Sequence, residues 1–304
     1  YTLGQGILKD ILQKTAYAAS SDESRAILNG SLMSFREGKL TTVCTDGRRL
    51  ALVEQDIDMP EEVQLDVVVP TKTVAELIKS LGMEEDVQIR MSSTQVAFEF
   101  GNILIISKLI DGTYPNYRQV IPSQCEERIS VERELLQSAV RRVSLMLDDQ
   151  AASVRLDISE NRIELTTSTP EIGTATESIP VKYSGKEITI AFNPTYLMAP
   201  LKHLESDEVF LELSDETSPG VIKSNIPFLL CFIPQTYNRI IIKIDRNSPR
   251  LLTLRCLNPV ALTFNISGIF YFNFNLLDNV LIQSHHTITR QLLIPISRLS
   301  QPLR

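Results

Sequence analysis

Residues 67–82, VVVPTKTVAELIKSLG, have a counterpart in residues 190–205, IAFNPTYLMAPLKHLE, and this pair of segments decides the fold. Each segment has the composition of a strand, then a proline at a helix start, then an amphipathic helix. In both places a stretch rich in strand formers follows, over residues 86–109 and 207–233. The sequence therefore contains two copies of one unit of about 120 residues.

The first half of each unit also repeats. Helical spacing of apolar residues, together with the two segments above, predicts four helices, at residues 7–19, 71–81, 133–146 and 194–204. After the first helix of each unit comes a predicted strand pair, 26–34 with 40–44 and then 154–158 with 162–166. The sequence predicts an α+β fold in which two helices of each unit pack on antiparallel sheets. The expected domains are residues 1–123 and 127–237.

Two turn segments resemble the sequence motifs of a known protein family. Residues 41–52 read TTVCTDGRRLAL, and residues 105–122 read IISKLIDGTYPNYRQVIP. Each contains Asp-Gly, which favours a tight turn because glycine accepts a positive φ. Together they resemble the TDGxRLA and DGxxPxYRxVxP segments of the bacterial DNA polymerase III β subunit, the sliding clamp family, in the family's order and separation. The resemblance covers residues 1 to about 237, the second and third of the family's three domains.

The resemblance implies tandem DNA-clamp domains and a non-catalytic function. The family is an accessory subunit of the DNA polymerase III holoenzyme, a processivity factor in the cytoplasm that tethers the replicative polymerase to double-stranded DNA. Its implied partners are the polymerase catalytic subunit, the clamp loader and other proteins with a clamp-binding motif. The full-length family forms a homodimeric ring of six domains. Two domains per chain would give a dimer only four, so this chain is expected not to encircle DNA as a dimer. A peptide-binding clamp remnant is the alternative function.

The resemblance also implies a peptide-binding groove between the two domains. Leucine, valine and proline side chains would form its apolar floor, and Arg49 with Asn193 would hold the polar backbone of the peptide. Ordinary core packing is the alternative for several of these positions. The matching residues are Leu28, Thr45, Gly47, Arg48, Arg49, Leu50, Pro115, Val120, Val154, Asn193, Tyr196, Ile233 and Pro234.

Cations on the four predicted helices are the candidate contacts to DNA. Contacts of lysine and arginine with phosphates are independent of base sequence, as sliding requires. The alternative is an ordinary solvated helix face. His203 is expected to be structural or DNA-facing rather than catalytic. The candidate cations are Lys9, Lys14, Lys72, Lys79, Arg133, Arg141, Arg142 and Lys202.

No constellation of residues predicts an active site. The sequence has no nucleophile-base arrangement and no glycine-rich phosphate loop. The acidic clusters at residues 84–86 and 148–149 are interpreted as solvated surface, although an α+β enzyme with a metal site is the competing class. We therefore expect no cofactor and no metal. The net charge of −7 argues mildly against nucleic acid, and four cysteines without a CxxC pair suit a reducing cytosol.

Residues 238–304 differ in composition from the rest. They carry a net charge of +6 within a chain of −7, and they contain no glutamate. The family's final strand resembles PFLYVIMPxRL, whereas residues 227–237 read PFLLCFIPQTY. A frameshift or read-through from about residue 230 would explain this, giving an aberrant, non-native or poorly ordered tail and a compromised groove edge. A membrane anchor at 260–283 is disfavoured by its interrupting asparagines. The absence of an initiator methionine fits a fragment.

Overall fold

The computed structural model describes residues 1–60, 63–147, 153–169, 172–225 and 228–234, and beyond these only the backbone of four short strands. The described residues contain four α-helices, all at the predicted places. They are α1 (Gln5–Thr15), α2 (Thr71–Ser80), α3 (Arg133–Val143) and α4 (Pro194–His203). Short 3-10 helices continue α1 through Ala18 and α3 through Met146.

The strands confirm the internal repeat. Both repeats follow one order: a strand, a helix, four strands, a helix and three strands. The first repeat contains β1 (Thr2–Gly4), β2 (Gly30–Arg36), β3 (Lys39–Thr45), β4 (Arg49–Asp56), β5 (Gln64–Pro70), β6 (Asp86–Met91), β7 (Gln95–Phe100) and β8 (Ile103–Lys108). The second contains β9 (Glu127–Glu132), β10 (Val154–Ser159), β11 (Arg162–Thr169), β12 (Gly173–Pro180), β13 (Ile188–Phe192), β14 (Glu208–Leu213), β15 (Gly220–Lys223) and β16 (Phe228–Phe232).

One sheet joins the two repeats. Its eight strands run in the order β5-β2-β3-β4-β16-β15-β14-β9, so β4 of the first repeat pairs with β16 of the second. The pairing is antiparallel, with Leu50 opposite Cys231 and Arg49 opposite Phe232. Two four-stranded sheets, in the orders β1-β6-β7-β8 and β12-β11-β10-β13, complete the repeats. The fold is α+β with antiparallel sheets, as predicted.

The core forms because apolar residues recur at the period of each element. On α3, Leu136, Val140 and Val143 point inward and are buried, whereas β7 alternates between buried Val96 and Phe98 and more exposed neighbours. Burial of apolar surface of this kind is the main favourable term in folding. A tight turn at Glu160-Asn161 joins β10 to β11, and Asn161 has a φ of 54°, which asparagine tolerates.

The helices form a continuous row. α2 packs beside α1, α1 beside α4, and α4 beside α3, so the row crosses from the first repeat to the second. Each helix buries apolar residues, and α1, α2 and α3 pack against strands.

The strand β16 corrects one expectation. A damaged strand after residue 230 would compromise the groove edge, but Leu230, Cys231 and Phe232 are all buried and hydrogen-bonded between β4 and β15. The phenyl rings of Phe232 and Phe192 meet edge to face with centroids 4.4 Å apart. Leu230 and Phe232 face one side of the sheet and Cys231 faces the other. This alternation is that of a regular strand, and all three side chains are apolar enough to be buried.

Residues 1–233 form one compact unit, and residues 234–304 form another. In the second unit the backbone traces four strands, β17 (Ile240–Ile244), β18 (Leu251–Arg255), β19 (Ala261–Asn265) and β20 (Val280–Gln283). Their order is β19-β18-β17-β20, with β17 and β20 parallel. The other residues of 238–304 lie outside the described part of the chain. The aberrant tail therefore stays a prediction. Among the described residues, no helix is long and apolar enough to span a membrane.

Candidate functional site

The turn between β3 and β4 is fixed by its own side chains. The Asp46 carboxylate accepts hydrogen bonds from the backbone N–H groups of Arg48 and Arg49, at 2.8 and 3.0 Å. The Thr45 hydroxyl accepts from Gly47 N at 3.0 Å and donates to Arg49 O at 2.7 Å. Gly47 has a φ of 86°, which side chains with a Cβ rarely adopt. The sequence TDGRR therefore folds locally into a rigid turn at the junction of the repeats.

Arg49 connects this turn to the second repeat. Its Nε donates to the Asp46 carboxylate at 3.0 Å, and only 14% of its side chain is exposed. The guanidinium carbon lies 4.9 Å from the ring centroid of Tyr196 on α4 and 5.8 Å from that of Tyr17 after α1. Such cation–π contacts hold the guanidinium and the rings in place. Asn193 accepts from Thr195 N at 2.9 Å and so caps α4 beneath Tyr196.

The end of β16 lies beside this turn, on the other side of the predicted groove. Ile233 N donates to Arg48 O at 3.1 Å, which extends the β4–β16 pairing by one residue. The Cys231 thiol lies 3.5 Å from the carbonyl oxygen of Val120 and donates to it. Burial raises the pKa of Cys231 to about 12, helped by the nearby Cys125, so the thiol is neutral at physiological pH. The side chains of Val120 and Ile233 are 53% and 36% exposed. A binding partner can therefore contact both.

The predicted groove residues divide by burial. Leu28, Thr45, Leu50 and Val154 are buried and can contribute only to the floor of the predicted groove. Pro234 is also buried, but it belongs to the second unit. The accessible members are Gly47, Arg48, Pro115, Val120 and Ile233, with the half-buried Arg49, Asn193 and Tyr196 between the two groups. The hydrogen bonds and ring contacts above bring together Thr45, Gly47, Arg48, Arg49, Val120, Tyr196 and Ile233.

Pro115 lies somewhat apart from that set. It lines a cleft of about 570 Å³ together with Leu32 and Tyr114. A second cleft of about 440 Å³ shares the walls Tyr117 and Arg118 with the first. Leu32, Tyr114 and Tyr117 belong to the apolar cluster that also contains Leu50 and Cys231, so both clefts border the cluster that contains the predicted groove residue Leu50.

The predicted DNA-facing cations also divide by exposure. Lys72, Lys79, Arg141 and Lys202 are exposed, and Arg142 is exposed but paired with Glu177. Lys9 is half-buried and donates to Leu81 O at 2.8 Å.

Two of these residues correct the prediction that all eight cations face DNA, because their side chains are almost entirely covered by the protein. Lys14 has a side chain that is only 3% exposed, and its Nζ lies 2.5 Å from the Asp10 carboxylate. Arg133 is 14% exposed and donates to Leu201 O and Ser206 O at 3.0 and 2.9 Å. Leu201 lies in α4 and Ser206 follows it, so the hydrogen bonds of Arg133 tie the start of α3 to the end of α4 and the residues after it.

His203 has a structural contact across the repeats. Its ring stacks on that of Tyr17 with centroids 5.2 Å apart and an angle of 8° between the planes. Burial and the positive charge of Lys202 lower the pKa of His203 below 6.5. The imidazole is therefore neutral at physiological pH and adds no charge to the helix row.

The described residues contain no group of three or more histidine, cysteine, aspartate or glutamate side chains that could hold a metal ion. Of the two acidic clusters, residues 84–86 are described, and residues 148–149 lie outside the described part.

Sequence reasoning missed three features of the junction. Tyr17 had no signal in the sequence, because its role depends on α4 of the other repeat. Asp46 could have been included, since Asp-Gly turns commonly use the aspartate as an acceptor of backbone N–H groups. The Phe192–Phe232 contact joins strands far apart in sequence and was not predictable.

Comparisons with known proteins agree with this architecture. The family model described as DNA polymerase III beta subunit, central domain, matches residues 2–116, and the model described as its C-terminal domain matches residues 118–227. The chain therefore belongs to the DNA polymerase III beta subunit family, to which its sequence motifs pointed. The residue limits of the two domains at 123 and 127 remain a prediction.

Individual relatives agree with the family models. A beta sliding clamp of Chlamydia muridarum is 34% identical over 234 residues, covering 77% of this chain and 64% of that protein. The crystal structure of the Bacillus subtilis sliding clamp is 31% identical with a TM-score of 0.74, covering 77% of this chain and 63% of that one. A Pseudomonas aeruginosa sliding clamp bound to griselimycin is 28% identical with a TM-score of 0.75, covering 77% and 64%. This chain thus spans less than two thirds of these relatives' length.

Proposed function

We propose that this chain is part of a DNA sliding clamp, a non-catalytic processivity factor that tethers the replicative polymerase to duplex DNA in the cytoplasm. It recruits the polymerase catalytic subunit, the clamp loader and other proteins with a clamp-binding motif through the groove at the junction. The full-length protein acts as a homodimer. The relatives named beta sliding clamp support this proposal, and the griselimycin-bound structure supports a ligand site on this fold.

The observation that carries the proposal is the charge of the helix row. The chain as a whole has a net charge of −7. Its four helices, however, contain eight basic residues and only three acidic ones, Asp10, Glu76 and Glu134. Five of the basic residues are exposed, and they are Lys72, Lys79, Arg141, Arg142 and Lys202. Cations concentrated on one surface of an acidic protein attract a phosphate backbone locally, because salt screens fields beyond about 8–10 Å. No base-reading element is needed for such contacts.

Reversal of the exposed helix charges tests DNA binding. Lys72, Lys79, Arg141 and Lys202 are changed together to glutamate, and duplex binding is measured by fluorescence anisotropy over a range of NaCl concentrations. We expect binding to weaken at least tenfold. The slope of log K against log salt should flatten by about 0.9 for each DNA phosphate that the variant no longer neutralises.

The matched control reverses four exposed cations outside the helices. Lys39, Arg162, Lys182 and Lys186 are 51%, 54%, 84% and 57% exposed, and their change to glutamate alters net charge by the same amount. If DNA binds to the helix row, this control variant should retain most of its affinity for duplex DNA. Equal losses in both variants would contradict the helix row as the DNA site.

Neighbouring residues at the end of α4 offer a finer test of the same surface. Lys202→Ala is expected to reduce the salt slope by about 1, because one DNA phosphate is no longer neutralised. His203→Ala is expected to leave the slope unchanged at pH 7.5, because the lowered pKa of His203 keeps the ring neutral. Anisotropy titrations of both variants at several salt concentrations measure this difference, and a flattened slope for His203→Ala would show that the ring is charged on DNA.

A further inference from the structure

Tyr17 connects the helix row to the predicted groove. It lies in the 3-10 turn after α1, and its ring stacks on that of His203 at the end of α4, with centroids 5.2 Å apart. The guanidinium carbon of Arg49, at the start of β4, lies 5.8 Å from the centroid of the same ring. Because α4 belongs to the second repeat, this arrangement exists only when the two repeats are packed together.

The aromatic ring is the part of Tyr17 that makes these contacts. Its hydroxyl oxygen is buried and has no hydrogen-bond partner in the described part of the chain. Burial, the largest cause, raises the pKa of Tyr17 well above its usual range, against the opposing effect of the Arg49 charge. The phenol is therefore neutral and does not pair with Arg49 as an anion. Since a buried hydroxyl without a partner is unfavourable, the ring is what this position contributes.

Arg49 keeps hydrogen-bond donors for a ligand. Its Nε donates to the Asp46 carboxylate at 3.0 Å, and its guanidinium carbon lies 4.9 Å from the ring centroid of Tyr196. Within the described part of the chain, no residue accepts a hydrogen bond from its two terminal nitrogens. Their N–H groups are therefore available to carbonyl or carboxylate oxygens of a partner.

We propose that Tyr17 is a positioning residue: supported by its stack on His203, its ring holds the guanidinium of Arg49 in the orientation that binds the polar backbone of a partner peptide. This role rests on the peptide groove proposed above. An arginine side chain loses rotamer freedom when a ligand fixes it, and a ring that restricts it beforehand reduces this loss. Tyr17 thus raises affinity without a contact of its own with the peptide.

Simple packing between the helices is the alternative role for Tyr17. Loss of a packing residue changes peptide affinity by the same factor whether or not the Arg49 guanidinium is present. A positioning residue acts through Arg49, so its loss has little effect on affinity once the guanidinium has been removed. The two roles therefore differ in a double-mutant cycle.

The cycle combines Tyr17→Leu with Arg49→Ala in the whole chain. The probe is a fluorescein-labelled peptide with the pattern Gln-x-x-Leu-x-Phe, and its affinity is measured by fluorescence anisotropy. Tyr17→Leu is expected to weaken binding about fivefold in the wild-type background, but less than about twofold in the Arg49→Ala background. Tyr17→Phe keeps the ring and should bind like wild type. Equal losses in both backgrounds would overturn the proposal.

Val120→Ala gives the matched control cycle. Val120 is 53% exposed at the groove, but it lies outside the ring contacts of Tyr17 and Arg49. We expect the losses from Tyr17→Leu and Val120→Ala to multiply, as they do for independent sites. Coupling of Tyr17 to Val120 as strong as its coupling to Arg49 would mean that Tyr17 acts through general packing, and it would overturn the proposal.

The NMR signal of the Arg49 Nε–H group in the free chain gives a second readout. The hydrogen bond to Asp46 slows exchange of this proton with water, and a mobile guanidinium loses that protection. Tyr17→Leu is expected to speed the exchange about tenfold, whereas Tyr17→Phe should leave it slow. Unchanged exchange in Tyr17→Leu would overturn the proposal.

Substitutions of His203 give the same readout from a residue at the protein surface. His203→Ala removes the stacking partner of Tyr17 without opening the core, so it tests the proposal even if Tyr17→Leu does not fold. We expect faster exchange at Arg49 in His203→Ala and slow exchange in His203→Phe, which restores a ring. Equal exchange rates in these two variants would contradict the support from His203.

The exchange measurement also separates this proposal from the proposed function, because it needs no peptide. A wild-type chain that binds no peptide would contradict the groove. The exchange rates of the Tyr17 and His203 variants would still decide whether Tyr17 positions Arg49.

Discussion

Phe232→Ala is expected to lower the free energy of unfolding by about 3–5 kcal/mol, the range for a buried phenylalanine. Phe232 is fully buried, and its ring meets Phe192 edge to face at 4.4 Å. It also belongs to β16, the strand that pairs with β4 across the two repeats. Removal of the ring leaves a cavity beside the joint between the repeats, so chemical denaturation should show a lower midpoint.

Ile233→Ala is the control for this experiment. Ile233 follows directly in the chain, but its side chain is 36% exposed. We expect a loss of less than about 1.5 kcal/mol there, because a partly exposed side chain loses less transfer free energy. The comparison also bears on the suspected frameshift. Equal, small losses for both variants would mean that residues after 230 contribute nothing to the fold.

Val120→Asp combined with Ile233→Asp is expected to weaken binding of a clamp-binding peptide at least a hundredfold, or about 2.7 kcal/mol. Both side chains are exposed at the groove, and an apolar ligand side chain would have to desolvate the new carboxylates. The probe is a fluorescein-labelled peptide with the pattern Gln-x-x-Leu-x-Phe, titrated by fluorescence anisotropy.

The control for the peptide experiment changes the same number of charges elsewhere. Ile7 and Met83 are 43% and 73% exposed, so Ile7→Asp combined with Met83→Asp should leave peptide affinity unchanged. Leu50→Asp is unsuitable, because Leu50 is only 3% exposed and a buried carboxylate would destabilise the fold. Wild-type affinity in the Val120–Ile233 variant would place the peptide site elsewhere.

Much of the fold was predictable because it follows from local patterns. The helix positions follow from the spacing of residues such as Leu136, Val140 and Val143, which all lie on one face of α3. The turn at Asp46-Gly47 was predictable because glycine there has a positive φ and the aspartate accepts backbone hydrogen bonds. The recurrence of the same patterns then predicted two similar units.

The surface of the helix row was only partly predictable. Sequence assigns Lys14 and Lys202 to the same class of helix cation, yet Lys14 is buried against Asp10 while Lys202 is exposed. The periodicity of a helix tells which residues share a face, but the neighbouring elements determine how much of that face is covered. Arg133 shows the same limit, because its partners are carbonyls of residues 201 and 206.

The sequence by itself determined the two repeats, their elements and the turn chemistry, since each depends on residues close together in the chain. Only the tertiary structure decided the junction. Pairing of β4 with β16 sets Leu50 opposite Cys231, and the stack of Tyr17 on His203 joins α1 to α4. Backbone hydrogen bonds between strand edges are the same for every residue type, so the sequence of β4 does not specify its partner. The partner of β4 is determined by which strand edge lies beside β4 once the two repeats have packed together.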